Sequence, residues 1–150
     1  MTSIIRIWLA GAMLASTPAT AYAQDLAKGE TLFKRCATCH GIGDAKKPVG
    51  PSLNGVIGRT AGTEESFVKK YSKAMIAAGE GGLVWTVEDI AEYITDPKKK
   101  VPGNKMAFPG LKKEEERADV IAYIAQFSPE AAASEASAEG ATEPAKPAAQ

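Results

Sequence analysis

Two cysteines and the only histidine of the chain stand together as Cys36-Ala37-Thr38-Cys39-His40. This C-x-x-C-H spacing is the attachment sequence for c-type haem. Each thiol would add across one vinyl group of the haem to form a thioether, and the adjacent histidine would supply an imidazole nitrogen to the iron. The motif therefore predicts one haem c per chain, bound covalently through Cys36 and Cys39.

Three other chemistries could use the same cysteines. A structural disulfide is plausible in an exported protein. A thioredoxin-like redox pair follows a strand and opens a helix, whereas this pair is expected to close a helix. Structural zinc is held by four ligands, and two cysteines with one histidine provide three. A signal for export would favour haem, because c-type haem is assembled outside the cytoplasm.

The iron of such a haem has a second axial position, which no second histidine can fill. Methionines and lysines remain as candidates. Met75 lies in a helix-like stretch and is expected to fill the core. Met106 lies in residues 101–110, where two prolines and two glycines shape the backbone around one thioether. We predict Met106 as the sixth ligand, and its soft sulfur would raise the reduction potential by favouring ferrous iron.

This ligand set predicts an electron carrier and not an enzyme. With both axial positions filled, a small substrate reaches the iron only by displacing a ligand, and no second histidine is present for the proton transfers of peroxide chemistry. Two alternatives require a labile sixth ligand. A missing methionine–iron absorption band in the oxidised spectrum would favour a peroxidase-like enzyme, and rapid carbon monoxide binding would favour a gas sensor.

The two ends of the chain are expected to lie outside the folded domain. Residues 1–23 combine Arg6, a short apolar run and the small-residue ending Ala21-Tyr22-Ala23, which is typical of a secretory signal. We expect cleavage after Ala23 and export to the periplasm. The alternative, an uncleaved membrane anchor, is disfavoured because the run falls short of the roughly 20 apolar residues of a spanning helix.

Residues 128–150 carry four glutamates, one lysine and no large apolar side chain, so they predict a disordered acidic tail. Residues 24–127 remain as one domain, slightly basic and without the cationic stripe of a nucleic-acid-binding protein. Helical periodicity recurs in this domain, but the stretches between the predicted helices are long. A large apolar cofactor at the centre would organise them.

The predicted helices have recognisable ends. Asp25 is expected to cap the first helix, which carries Cys36 towards its end. Thr86 is expected to cap the helix that stops before Pro97. Shorter helices are expected from Thr63 or Glu64 and over residues 74–78, the second ending before Gly79. A last helix is predicted over about 112–127.

Beyond the haem motif, several ordered stretches resemble class I cytochrome c, and more closely its mitochondrial and cytochrome c2 branch. The matching stretches are 49–59 (VGPSLNGVIGR), 71–74 (YSKA), Trp85, 92–94 (EYI), 96–106 (DPKKKVPGNKM) and 117–124 (RADVIAYI). The resemblance implies an all-α fold in which the N- and C-terminal helices pack together, with loops and short helices wrapped around one covalent haem. It places Gly29 and Phe33 of the first helix against Val120 and Tyr123 of the last.

The same resemblance implies roles for individual residues. Pro51 would offer its carbonyl to the second ring nitrogen of His40. The haem propionates would be held by Arg59, Tyr71, Trp85 and Asn104. Tyr93 would lie near the Met106 sulfur, and Phe108 would cover the haem crevice.

Partners are also implied by the resemblance. A membrane ubiquinol–cytochrome c reductase would donate the electron, and a terminal oxidase or a photosynthetic reaction centre would accept it. We expect a monomer that docks through a ring of lysines at the haem edge and binds no nucleic acid. The candidate lysines are Lys46, Lys47, Lys98, Lys99, Lys100, Lys105 and Lys112.

Overall fold

The computed structural model describes residues 24–47 and 49–128. The predicted signal segment and residues 129–150 of the predicted tail lie outside the described residues. Ser128, which the sequence placed in the tail, is 2% exposed, and its hydroxyl accepts a hydrogen bond from the backbone of Ile57. The packed domain therefore includes Ser128. None of the described helices is both long and apolar enough to cross a membrane.

The described part of the chain is helical, as predicted. Its only β pairing is one isolated bridge between Thr60 and Val84. The elements are α1 (Leu26–Phe33), a 3-10 segment (Val68–Lys70), α2 (Lys73–Glu80), α3 (Val87–Thr95), α4 (Pro97–Lys100) and α5 (Glu114–Ala125).

The first and last helices cross at very close range, which confirms the predicted packing. A Cβ atom added to Gly29 would lie 2.1 Å from the Asp119 carbonyl oxygen and 2.9 Å from the Tyr123 Cβ. Beside this crossing the rings of Phe33 and Tyr123 are 5.3 Å apart, and Val120 is 1% exposed. Only glycine lets the two backbones approach this far, so the crossing depends on that one position.

Replacing Gly29 by alanine is therefore expected to destabilise the holoprotein by about 1–3 kcal/mol, the usual cost of overpacking a core. Chemical denaturation measures it. Glu30→Ala, an exposed change on the same helix, is the control and should stay within about 0.5 kcal/mol of the parent. Equal stability of both variants would contradict this account of the crossing.

The predicted helix caps are present. The Asp25 carboxylate accepts hydrogen bonds from the backbone of Ala27 and Lys28 at 3.1 and 3.0 Å. Thr86 Oγ1 accepts from the Asp89 backbone N–H at 3.1 Å. Both side chains satisfy donors that a helix N-terminus leaves without a partner.

Two local predictions were wrong. The stretch after Thr63 forms turns and the 3-10 segment instead of an α-helix. Gly79, expected to follow the helix end, lies within α2. A Cβ there would be 2.0 Å from the Ala61 carbonyl oxygen, so this glycine permits close packing of α2 and does not terminate it.

Candidate functional site

A cavity of about 470 Å³ lies among the loops and short helices. This volume is within the range of small-molecule and cofactor sites, about 300–1,000 Å³. All the residues that the sequence and the resemblance selected line it together: Cys36, Cys39, His40, Pro51, Arg59, Tyr71, Trp85, Tyr93, Asn104, Met106 and Phe108. The structure therefore brings to one place side chains that are widely separated along the chain.

The two cysteines lie in consecutive turns that follow α1. The helix ends at Phe33, so the prediction that it carries Cys36 was wrong. The backbone N–H of His40 donates to the Cys36 carbonyl at 2.9 Å, so the turn holds the imidazole next to both thiols. Burial raises the pKa of the Cys36 thiol, although the charge of Arg35 opposes the shift. A reactive redox pair needs a lowered thiol pKa, so the site does not suit the thioredoxin-like alternative.

The zinc alternative also finds no support. Within residues 24–47 and 49–128, no group of three or more histidine, cysteine, aspartate or glutamate side chains is arranged to hold a metal ion. Both cysteines are free thiols in the structure. The remaining alternative is haem c, a ligand that contains its own metal and that would be bound by two thiols and one imidazole.

The His40 ring is oriented by a backbone carbonyl. Its Nδ1 lies 2.8 Å from the Pro51 carbonyl oxygen, the contact that the resemblance implied. A carbonyl only accepts, so Nδ1 carries the proton and Nε2 keeps its lone pair for a metal. Burial lowers the pKa of His40, which favours the neutral, metal-binding ring. A Cβ at Gly50 would lie 2.9 Å from the ring, so glycine makes room for this orientation.

Asn104 holds the backbone at the second predicted ligand. Its side-chain oxygen accepts from the Met106 backbone N–H at 2.8 Å. Its amide nitrogen donates to the carbonyls of Pro97 and Val101 at 2.7 and 2.8 Å. Both amide hydrogens are thereby used, so Asn104 has no donor left for the propionate contact that the resemblance implied. It acts instead as the support of the Met106 loop.

A second tie fixes the same loop from outside. Lys105 Nζ donates to the Lys70 and Tyr71 carbonyls at 2.9 and 3.3 Å. The loop that carries Met106 is thus fastened to the 3-10 segment across the cavity rim. Met75 also lines this cavity and is 7% exposed, so position alone leaves two thioethers as candidates for a metal.

Two polar donors of the cavity, Arg59 and Tyr71, are partly buried. Arg59 donates to the carbonyls of Asn54 and Ser52 at 3.1 and 2.8 Å, which fixes its guanidinium among the lining residues. Burial raises the pKa of Tyr71, and the nearby Arg59 charge opposes the shift. These donors suit an anionic group at the edge of an apolar ligand, because a buried carboxylate requires hydrogen-bond partners.

The aromatic wall of the cavity pairs Trp85 with Tyr93, whose ring centroids are 4.9 Å apart. Trp85 is 8% exposed. Burial, with a smaller contribution from the charge of Tyr71, raises the pKa of Tyr93 to about 12. The Tyr93 hydroxyl therefore stays protonated and can donate a hydrogen bond throughout the neutral range.

Sequence reasoning missed most of the apolar lining. These residues include Leu53, Val56, Phe67, Ile90, Ile94, Leu111, Val120 and Ile124. The helical ones follow an apolar stripe that was visible as core, but nothing in the sequence distinguished a wall of the cavity from ordinary packing. Leu53 and Val56 stand in loops, where no periodicity exists to reveal them.

The predicted lysine ring at the haem edge stays a prediction. Of its seven members, Lys105 alone lines the cavity, where it is joined by Lys70, which was not predicted. Lys100 Nζ lies 2.8 Å from Asp89 Oδ1 and also pairs with Glu92. These hydrogen bonds raise the pKa of Lys100, so its ammonium stays charged and is paired with two carboxylates of the same chain. Lys100 is therefore less suited to docking an acidic partner than a lysine without carboxylate partners.

The residues present fit a covalently attached haem. Two thiols and a carbonyl-oriented imidazole stand within one turn, a loop held by Asn104 brings a thioether to the same cavity, and the walls are mostly apolar. Bound haem c needs each of these features: two attachment points, soft or nitrogen axial ligands and a dry enclosure.

Comparisons with known proteins agree with this geometry. The sequence model of the family described as Cytochrome c matches residues 26–128. The chain is 54% identical over 101 residues to cytochrome c2 of Agrobacterium tumefaciens, covering 67% of this chain and 89% of that protein. It is 51% identical over 117 residues to cytochrome c2 of Blastochloris viridis, covering 77% and 88%. The solved structure of cytochrome c2 from Rhodospirillum centenum superposes with a TM-score of 0.63 at 48% identity, covering 70% and 99%.

Proposed function

Since the chain belongs to the cytochrome c family, and so carries electrons on covalently bound haem c, we propose that it works in the periplasm with iron held between His40 and Met106. When bound, haem c supplies an iron that gains or loses one electron. The protein binds it, holds both axial ligands and excludes water. Its own residues undergo no covalent change during turnover, so the chain is a carrier and not an enzyme.

One observation supports the proposal above the others: the hydrogen bond from His40 Nδ1 to the Pro51 carbonyl at 2.8 Å. It fixes the tautomer in which Nε2 would bind iron, and it would make the imidazole a stronger electron donor. A histidine that merely filled the core would not need an oriented lone pair directed into a cavity with two free thiols.

Met106 is the better of the two candidate thioethers. Its backbone N–H donates a hydrogen bond to the Asn104 side chain. The preceding residue, Lys105, is hydrogen-bonded to the 3-10 segment. Met75 sits in the first turn of α2, where its backbone N–H is held by the Ser72 cap, and its side chain is packed in the hydrophobic core. A loop anchored on one side of a ligand can hold it against a metal, whereas the core needs Met75 for packing.

The remaining predicted residues serve the bound group without reacting. Arg59 and Tyr71 would neutralise and hydrogen-bond the propionates, and Trp85 would add an indole N–H donor. Phe108 would close the crevice at the outer face. Together these residues keep the surroundings of the iron dry and rigid, so that little has to reorganise when its charge changes.

The partners we propose are a ubiquinol–cytochrome c reductase as electron donor and a terminal oxidase or photosynthetic reaction centre as electron acceptor. We propose that this protein binds them as a monomer. Lys46, Lys47, Lys98, Lys99 and Lys112 are exposed and can steer an acidic partner. Steering of this kind raises the encounter rate more than the affinity.

The proposed function is tested on mature holoprotein purified from an exporting host that attaches haem. We expect a mass increased by one haem, a methionine–iron band in the oxidised spectrum, and reduction by membranes that contain the reductase. The mature N-terminus should be Gln24. A protein without covalent haem, or one that reductase membranes cannot reduce, would contradict the proposal.

The rate of electron transfer to oxidase membranes is expected to fall as salt rises from 10 mM to 200 mM, because the Debye length shrinks from about 30 Å to under 10 Å. Neutralising Lys46 and Lys47 together, as Lys46→Gln with Lys47→Gln, should flatten that dependence. The matched control is Lys113→Gln, because Lys113 is paired with Glu116 at 3.1 Å. An unchanged slope in the double variant would remove these lysines from the docking surface.

A further inference from the structure

We infer that Arg35 and Phe108 form a latch across the mouth of the cavity, and that Arg35 is thereby a positioning residue for Met106. The inference rests on the proposed ligation by His40 and Met106 and extends it. It assigns a role to the residue before Cys36, which neither the haem motif nor the helix pattern singles out.

The latch is a cation–π contact. The guanidinium carbon of Arg35 lies 5.6 Å from the centroid of the Phe108 ring, inside the roughly 6 Å within which such pairs attract. Both side chains line the cavity. The other cation–π contact in the described part of the chain joins Lys70 to Phe67, which are close neighbours in sequence. Of these two cation–π contacts, only the one between Arg35 and Phe108 connects the cysteine turn with the Met106 loop.

Arg35 is available for this contact. The ion pairs of the described residues involve the cations of Lys28, Lys100 and Lys113, and none includes Arg35. Arg35 is exposed, while Phe108 is half-buried. The planar, weakly hydrated guanidinium is the cation best suited to lie over an aromatic face.

The contact acts where the loop is otherwise least restrained. On the N-terminal side of Met106, the side chains of Asn104 and Lys105 hold the loop by five hydrogen bonds. On the other side, the next backbone hydrogen bond in the described structure is from the Leu111 N–H to the Ile94 carbonyl at 2.8 Å. Residues 107–110 make no hydrogen bond with any other described residue. The backbone of Gly110 packs closely against the Thr95 carbonyl, so residues 107–109 are the ones that side-chain packing must hold.

Loss of the latch should therefore favour conformations in which Met106 has left the iron. An external ligand binds only those conformations, and its apparent affinity rises with their population. For an exposed cation–π pair the expected change is about two- to fivefold. Imidazole is a suitable probe, because it occupies the sixth position and its binding removes the methionine–iron band.

The experiment is an imidazole titration of oxidised holoprotein in a double-mutant cycle of Arg35→Gln and Phe108→Leu. We expect each single variant to raise imidazole affinity about two- to fivefold. The affinity of the double variant should be about the same as that of either single variant. Arg35→Lys should retain part of the latch and so raise imidazole affinity less than Arg35→Gln. Lys34→Gln changes an exposed neighbour and should bind imidazole as the parent does. Strictly additive effects, or Arg35→Gln behaving as Lys34→Gln, would overturn the latch.

The same titration separates failure of the latch from failure of the proposed ligation. If the parent lacks the methionine–iron band, or if Met106→Ala leaves imidazole affinity unchanged, then Met106 is not the ligand and the latch has nothing to position. If the parent shows the band and the cycle shows no coupling, the ligation stands and the latch alone is wrong.

Discussion

Replacing Met106 by alanine is expected to abolish the methionine–iron band and to lower the reduction potential of the haem by on the order of 0.1–0.3 V, within the roughly 0.8 V that axial ligands span. Thioether sulfur stabilises ferrous iron, and water or hydroxide in its place stabilises ferric iron. A spectrum and a redox titration of the oxidised and reduced holoprotein measure both effects. Carbon monoxide should then bind the reduced variant readily.

The matched control for this change is Met75→Ala, because both thioethers line the same cavity. We expect Met75→Ala to keep the band and to lose about 2–5 kcal/mol of stability, as a buried methionine truncated to alanine does. The opposite outcome, with the band lost in Met75→Ala and kept in Met106→Ala, would transfer the ligand role to Met75. Loss of the band in both variants would show that ligation depends on packing around Met75.

Replacing Cys36 and Cys39 together by alanine is expected to eliminate covalently attached haem and, with it, the stable fold. The cavity of about 470 Å³ is walled by the side chains that would otherwise form the core. Without its occupant those walls would have to collapse or fill with water, and either outcome removes apolar burial that a domain of about 100 residues needs. Mass spectrometry and far-ultraviolet circular dichroism of the exported protein measure the two losses.

Single cysteine variants separate attachment from folding. Each should retain one thioether and a haem that adds its full mass, at lower yield and stability. Thr38→Ala changes a residue between the cysteines whose hydroxyl donates to the Arg35 carbonyl, and it should mature normally because the motif needs only the cysteines and the histidine. A double cysteine variant that still carried haem covalently would disprove attachment at this motif.

Two glycines allow close backbone contacts in this protein, and the sequence predicted the contact at Gly29 but not the one at Gly79. Gly29 was placed against the last helix by the resemblance, and the structure confirms it. Gly79 was interpreted as a helix end, because glycine commonly follows helices. Its close approach to the Ala61 carbonyl depends on a segment distant in sequence, and no local pattern reports such a contact.

Asn104 and Lys100 show the same limit for polar residues. The sequence indicates that both carry hydrogen-bonding groups near the Met106 loop, but it does not say which partners they meet. In the structure, the Asn104 amide nitrogen donates hydrogen bonds to two carbonyls, and Lys100 forms ion pairs with Asp89 and Glu92. The structure therefore adds contacts within the chain that the sequence did not predict for either residue.

The sequence by itself determined the cofactor chemistry. Two thiols and an imidazole within five residues can meet one haem whatever the rest of the chain does, and a single histidine leaves the second axial position to another residue type. Only the tertiary structure decided which distant side chains complete the site: the carbonyl that orients His40, the supports of the Met106 loop and the contact of Arg35 with Phe108. Covalent spacing sets chemistry within a turn, whereas contacts between remote segments exist only once the core has packed.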